Sequence, residues 1–359
     1  MPSEQRRGGG ARREAAPAGG TRRRARRRWL AGLGAWLLAV SLLAAFWLGA
    51  RAQAFAPKAP TAPSVTLLEP THGTAWPGGQ PRPIRWEASD PQGLISYPIT
   101  LSLSYDSGAT WSVLQAGLPN TGLFTWTLPL SNTAQARRQV AATNTQGQVG
   151  LASNAGDFII DSLPPPPPFN LVSVPSGWTH TNAFTVTWQT WPDNLSGIVG
   201  AFYKLNAPPT SPIDGSFFPA PDHLSGLTVP GEGKHTLFVW LMDGAGNVDH
   251  TTRNVLLDAF WYDGTPPVTG LWTEPPPPPS GWYRSPVTVT LSATDHDSGV
   301  GQTRYRLDGG TWLTGTQFVV TGDDAHLVEY YSLDQVGNQE TPQQAAVNID
   351  TQPPEAPTY

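Results

Sequence analysis

The chain has 359 residues, with 38 prolines, 37 glycines, 15 tryptophans and no cysteine. Lacking cysteine, it has no disulfide scaffold, zinc finger, iron–sulfur site or thiol nucleophile. Its formal charge of −5 hides a basic N-terminal end and an acidic remainder, an asymmetry that points to a membrane or nucleic-acid contact at the basic end.

Residues 1–28 form a basic tail, with ten arginines against Glu4 and Glu14. Trp29 to Ala50 follows, 22 residues without a charge. As a helix this segment spans about 33 Å, enough for a hydrocarbon core of about 30 Å. Trp29 and Trp47 lie near its ends, where indole rings favour the headgroup interface. Beyond Lys58 the chain carries ten basic and 25 acidic residues. The positive-inside bias therefore predicts a single-pass membrane protein with its N-terminus in the cytoplasm and residues 51–359 outside. The partner predicted for the basic end is the membrane, through Trp29 to Ala50, and not nucleic acid. The alternative is a secreted chain released by signal cleavage, because small-residue triplets such as Ala50-Arg51-Ala52 follow the apolar run. The usual signal core is about 7–15 residues, so the length of this run favours a retained anchor.

Residues 51–61 read as a linker. From there on, short alternating runs broken by Gly, Pro, Asn and Asp replace any helical period, the pattern of a sandwich or barrel. Ile84-Arg-Trp86-Glu-Ala88, Phe184-Thr-Val186-Thr-Trp188 and Val287-Thr-Val289-Thr-Leu291 each turn apolar residues to one side. These strands belong to an internal repeat. Ser176-Gly177-Trp178 matches Ser280-Gly281-Trp282, and Asp193 to Gly197 matches Asp295 to Gly299 at a spacing of 102. Asp243 to Asn247 matches Asp334 to Asn338 at a spacing of 91, so copy two carries an 11-residue excess within 206–230. Copy one is more diverged, with Asn144-Thr-Gln-Gly147 where the others have Asp-x-x-Gly-Asn. Each copy closes on an aspartate followed by proline: Asp161, Asp263 and Asp350. Proline ends strands and stiffens linkers. The predicted modules are 62–162, 169–262 and 263–350, with a proline linker over 163–168 and a proline-rich tail or cut-short linker over 351–359. The second proline run, Pro275 to Pro279, falls inside copy three.

A unit of about 95 residues with about seven short strands has the size of an immunoglobulin-like sandwich. The predicted fold is all-β: three tandem sandwiches after one transmembrane helix. The repeat also resembles the Ig-like repeats of bacterial surface proteins, of the outer-membrane-protein type. The likeness is best in 266–350, good in 165–262 and partial in copy one. It implies an exported tandem module and no particular ligand.

Ser104-Tyr-Asp106-Ser-Gly108-Ala-Thr110-Trp111 resembles the Asp-box of sialidase-like propellers. Its physical content is a hairpin in which Asp106 binds turn amides, Gly108 takes a positive φ and Trp111 covers the turn. Asp243, Gly246 and Asn247, and likewise Asp334, Gly337 and Asn338, predict tight turns between the last two strands. A calcium site is the alternative for these turns, joined by Asp193 in copy two and, better, by Asp295 and Asp297 beside Asp334 in copy three. No other cofactor is predicted. Trp86 and Trp188 are predicted core residues. The non-repeated Trp191, Trp261 and Trp272 are the candidates for stacking on a sugar or a partner protein. No H-E-x-x-H or G-x-S-x-G is present, and no catalytic residue is predicted.

The reading is a membrane-anchored surface protein, non-enzymatic, whose outer modules serve as a stalk or adhesive array. Alternatives are a carbohydrate- or cell-wall-binding array, and the accessory region of a truncated surface hydrolase. The last arises because Asp350-Thr-Gln-Pro353-Pro354 has the form of a linker but leads only to Tyr359.

Overall fold

The computed structural model describes residues 60–357. The basic tail and the Trp29 to Ala50 segment lie outside them. Among the described residues no helix is long and apolar enough to cross a membrane.

Module one runs through β1 (Ser64–Glu69), β2 (Ala75–Pro77), β3 (Pro81–Ser89), β4 (Leu94–Ser104) and β5 (Ser112–Leu118). It continues with β6 (Leu123–Thr127), β7 (Thr133–Asn144), β8 (Val149–Ser153) and β9 (Phe158–Asp161). Module two holds β10 (Phe169–Val174), β11 (Trp178–Thr179), β12 (Phe184–Gln189) and β13 (Ile198–Leu205). Its remaining strands are β14 (Ser216–Phe218), β15 (His223–Leu227), β16 (Gly233–Asp243) and β17 (Asn254–Tyr262). Module three holds β18 (Val268–Glu274), β19 (Trp282–Tyr283), β20 (Val287–Thr294) and β21 (Val300–Leu307). It ends with β22 (Leu313–Thr314), β23 (Gln317–Val320), β24 (Asp324–Asp334) and β25 (Gln343–Ile349).

The three modules share one strand order. A three-stranded sheet, β1-β3-β6, β10-β12-β15 or β18-β20-β23, packs on a larger one, β2-β9-β7-β4-β5, β11-β17-β16-β13-β14 or β19-β25-β24-β21-β22. The first segment of each module splits between the two sheets. It pairs antiparallel in the small sheet and its continuation pairs parallel to the last strand of the large one. This is the crossed two-sheet arrangement of an immunoglobulin-like sandwich.

Alternation along the strands fills each core. In β20 Val287, Val289 and Leu291 are buried, and in β12 Phe184, Val186 and Trp188. Each module has its own apolar cluster drawing on both sheets. Burying one such side chain contributes roughly 1.5–3 kcal/mol. Part of the excess in copy two forms the loop ahead of β14, which runs over 206–215 against 308–312 in module three. It is tied down by Lys204 Nζ, which donates to Asp214, and by Trp240 Nε1, which donates to Pro212 O at 2.7 Å.

Module one departs from the other two in its last strand, which is broken into β8 and β9, both paired with β7. The break is held by the buried Asn154, whose side chain accepts from Arg138 N and donates to Pro70 O. Arg138 itself lies in the core. Its guanidinium stands 4.6 Å from the Trp76 ring, 4.2 Å from Trp126 and 5.2 Å from Phe158. None of its three side-chain nitrogens has a hydrogen-bond partner. Burial lowers its pKa to about 9, so it stays charged at neutral pH, held by the faces of the rings.

Two predictions follow from this packing. Arg138→Met keeps the volume and removes an unpaired buried charge, so urea denaturation gives a module-one stability equal to or above wild type. Arg138→Ala leaves a cavity among three rings and lowers it by about 2–5 kcal/mol. In module three His326 Nδ1 donates to Asp308 at 2.8 Å, a contact that raises the histidine pKa. That stabilisation is complete below the unfolded value of about 6.5 and disappears as pH rises through the higher folded value. Melting temperatures of wild type therefore fall over that window, and His326→Gln flattens the fall.

Candidate cation sites at the module junctions

Each junction begins where a module's last strand ends. Asp161 ends β9 and is fully buried at 0% exposure; Asp263 follows β17 and is 1% exposed. A buried carboxylate needs donors, and both find them in the next module. Asp161 Oδ2 accepts from Ser196 N at 3.1 Å and from Ser196 Oγ at 2.8 Å. Asp263 Oδ2 accepts from Ser298 N at 2.9 Å. The backbone carbonyls are used as well. Asn247 Nδ2 donates to Asp161 O at 2.9 Å, and Asn338 Nδ2 donates to Asp263 O at 2.8 Å. The second junction has further ties: His180 Nδ1 donates to Val336 O, and Glu232 accepts from Gly264 N and Thr265 Oγ1.

The receiving surface is made of two turns. In module two Asp193 Oδ2 accepts from the amides of Ser196 and Gly197, while Asp243 accepts from Asn247 N and Nδ2. In module three Asp295 Oδ1 accepts from Gly299 N, and Asp334 Oδ1 accepts from the amides of Val336, Gly337 and Asn338. Gly246 and Gly337 take φ of 93° and 95° there, which only glycine adopts freely. These are the tight turns the sequence predicts.

The same turns gather carboxylates. Oxygens of Asp161, Asp193 and Asp243 lie within 4.8 Å of one another, as do those of Asp263, Asp295 and Asp334. The sequence-level trio of Asp295, Asp297 and Asp334 needs correction. Asp295 and Asp334 do come together, but their third partner is Asp263, which directly follows the last strand of module two and so belongs to that module, one residue beyond the predicted boundary. Asp297 stands in a separate trio with Glu232 and Asp263. Asp161, Asp263 and Glu232 were missed because the closing aspartates read as linker residues. Their recurrence before proline in all three copies was the available signal. Burial raises the Asp243 pKa, and the Asp161 and Asp193 charges push the same way. Asp295 is raised by burial and by Asp263 and Asp334.

The other candidates separate clearly. In the Asp-box turn Asp106 accepts from Thr110 N and Oγ1 at 2.8 and 2.6 Å and from Ser104 Oγ. These bonds, led by the Thr110 hydroxyl, lower its pKa to about 2. Gly108 has φ 91°, and the Trp111 ring lies against it. All its donors are local, so the box is a structural hairpin. Trp191 and Trp272 are 55% and 57% exposed, the former stacked on Phe169 at 4.7 Å. Trp261 is covered by Lys234 at 3.9 Å and by the edge of Trp178. The structure does not bring these three tryptophans into one site.

No protein-family model matches the chain, and no curated protein matches it. Solved structures with a similar course include the fibronectin(III)-like modules of Clostridium thermocellum CbhA, at 12% identity and a TM-score of 0.33, covering 54% of this chain and 91% of that one. A bacterial ice-binding adhesin matches at 15% identity and 0.30, covering 81% and 99%. A stretch of titin domains matches at 13% and 0.25, covering 81% and 100%. At these scores none bears on function, and the immunoglobulin-like fold rests on the strand order.

If the closing aspartate fixes one module on the next, its removal must loosen the pair. Losing its acceptors strands buried N–H groups at about 1–3 kcal/mol each. The absence of cysteine permits clean spin labelling at the exposed positions Val172→Cys and Val319→Cys. Electron–electron double resonance then gives a narrow distance distribution in wild type and a broader one in Asp263→Ala.

Proposed function

We propose that residues 60–357 serve as a non-catalytic stalk or adhesive array at a bacterial cell surface, held to the membrane by Trp29 to Ala50. The observation that carries this reading is the repeated junction. Asp161 meets Ser196 and Asn247 as Asp263 meets Ser298 and Asn338. A chain that only needed linked domains could leave flexible linkers between them. Here a buried carboxylate and a carbonyl set the position of each following module, which suits a part that holds something at a fixed reach. The acidic exterior keeps such an array soluble.

A glycan-binding array is the second reading, favoured by the exposure of Trp191 and its stacking on Phe169. Rigid exposed indoles are suited to stacking on sugar rings.

Membrane fractionation tests the first reading. The full chain stays in the pellet after carbonate extraction, and a variant lacking residues 29–50 moves to the supernatant. External protease on intact cells removes residues 60–357. Recovery of the full chain in the soluble fraction contradicts it. Binding to a glycan panel that Trp191→Ala abolishes selects the second reading.

A further inference from the structure

The second junction collects negative charge, and no cationic side chain of the described residues pairs with its three central carboxylates. Among the described residues, ion pairs engage Asp157, Asp214, Asp308, Glu329 and others, but none of Asp263, Asp295 and Asp334. Their oxygens nevertheless stand within 4.8 Å of one another. Oxygens that bind one calcium at 2.3–2.6 Å are at most about 5 Å apart.

Ser298 is the second, independent observation. It is 5% exposed, and its Oγ has no hydrogen-bond partner. Its own N–H donates to Asp263 Oδ2 at 2.9 Å, which sets the residue against the trio. In the first junction the matching hydroxyl is engaged, with Ser196 Oγ on Asp161 Oδ2. A buried hydroxyl without a partner is unfavourable, and its lone pairs suit a hard cation. Glu232 and Asp297 add charge from the other side of Asp263. A cavity of about 510 Å³, lined by Glu232, Asp263, Asp295, His296 and Asp297, opens two of the three carboxylates to solvent.

Module one supplies an internal contrast. Asn144 stands there where the others have Asp243 and Asp334. Its Nδ2 donates both to Asp90 Oδ2 and to Thr61 O, each at 3.1 Å. In module one an amide thus stands where the other two junctions place a further carboxylate.

We propose that the second junction binds a calcium ion through Asp263, Asp295 and Asp334, with the Ser298 hydroxyl as a further ligand. An all-oxygen set without His or Cys excludes zinc as the favoured ion. Magnesium requires a near-ideal compact octahedron, whereas calcium accepts irregular oxygen sets completed by water. The ion joins one ligand from module two to two turns of module three, and so locks the pair.

Equilibrium dialysis of the full chain against radiocalcium tests this. Wild type binds saturably with a dissociation constant on the order of 10⁻⁴–10⁻³ M, the range of extracellular modules. Asp295→Asn keeps an acceptor for Gly299 N and binds one calcium fewer per chain, while Asp90→Asn changes nothing. Ser298→Ala binds several-fold more weakly, yet melts in chelator no earlier than wild type, because only an unpartnered group is lost. This second variant decides the matter should Asp295→Asn fail to fold. Absence of saturable binding by wild type overturns the proposal, as does unchanged binding by both Asp295→Asn and Ser298→Ala.

Discussion

A carboxylate taken out of water must be given hydrogen-bond donors, and in this protein that constraint runs across domain boundaries. Asp161 and Asp263 are the last buried residues of their sandwiches. Each receives its strongest donors from the sandwich that follows. Local amides, Leu163 N and Thr265 N, serve the other oxygen of each carboxylate, and the next module serves Oδ2. The sandwiches have separate apolar cores, so the junction couples units that could otherwise move apart. It does so with short, directional bonds, which hold orientation better than an apolar patch does.

The receiving turns show how one local device serves two ends. Asp334 accepts from three amides of its own turn, and Asp243 from Asn247 N and Nδ2, the local bonding that such tight turns use. Turned toward the preceding module, the same turns present Asn247 and Asn338 to its last carbonyl. Their carboxylates face the carboxylate that arrives with it. Burial raises the pKa values of Asp243 and Asp295, and the like-charge contact pushes them the same way. Module one relieves the same contact with the amide of Asn144.

Much of the fold was legible because strand alternation is a direct image of burial. Val287, Val289 and Leu291 are buried at every second position, as their pattern requires. Matching turns located the excess of copy two within 206–230, a range that holds the loop ahead of β14. Legibility ended where a residue's partner lies in another module. Asp161 and Asp263 stand before prolines and read as linker punctuation, since nothing local says that a turn 35 residues downstream binds them. Arg138 shows a different limit. It falls on the inward parity of β7, between Ala136 and Val140, but a charged residue at such a position is legible only once Trp76, Trp126 and Phe158 are seen around it. Asp295 and Asp334 were found from turn chemistry alone, and their third partner was not.

The central claim is that Asp161 and Asp263 are each held by the module that follows. Amide hydrogen exchange at Ser298, whose N–H donates to Asp263, measures this directly when followed by NMR. The Ser298 amide should be protected in wild type and exchange fast in Asp263→Ala. Fast exchange at Ser298 in wild type, or protection that survives Asp263→Ala, would contradict it.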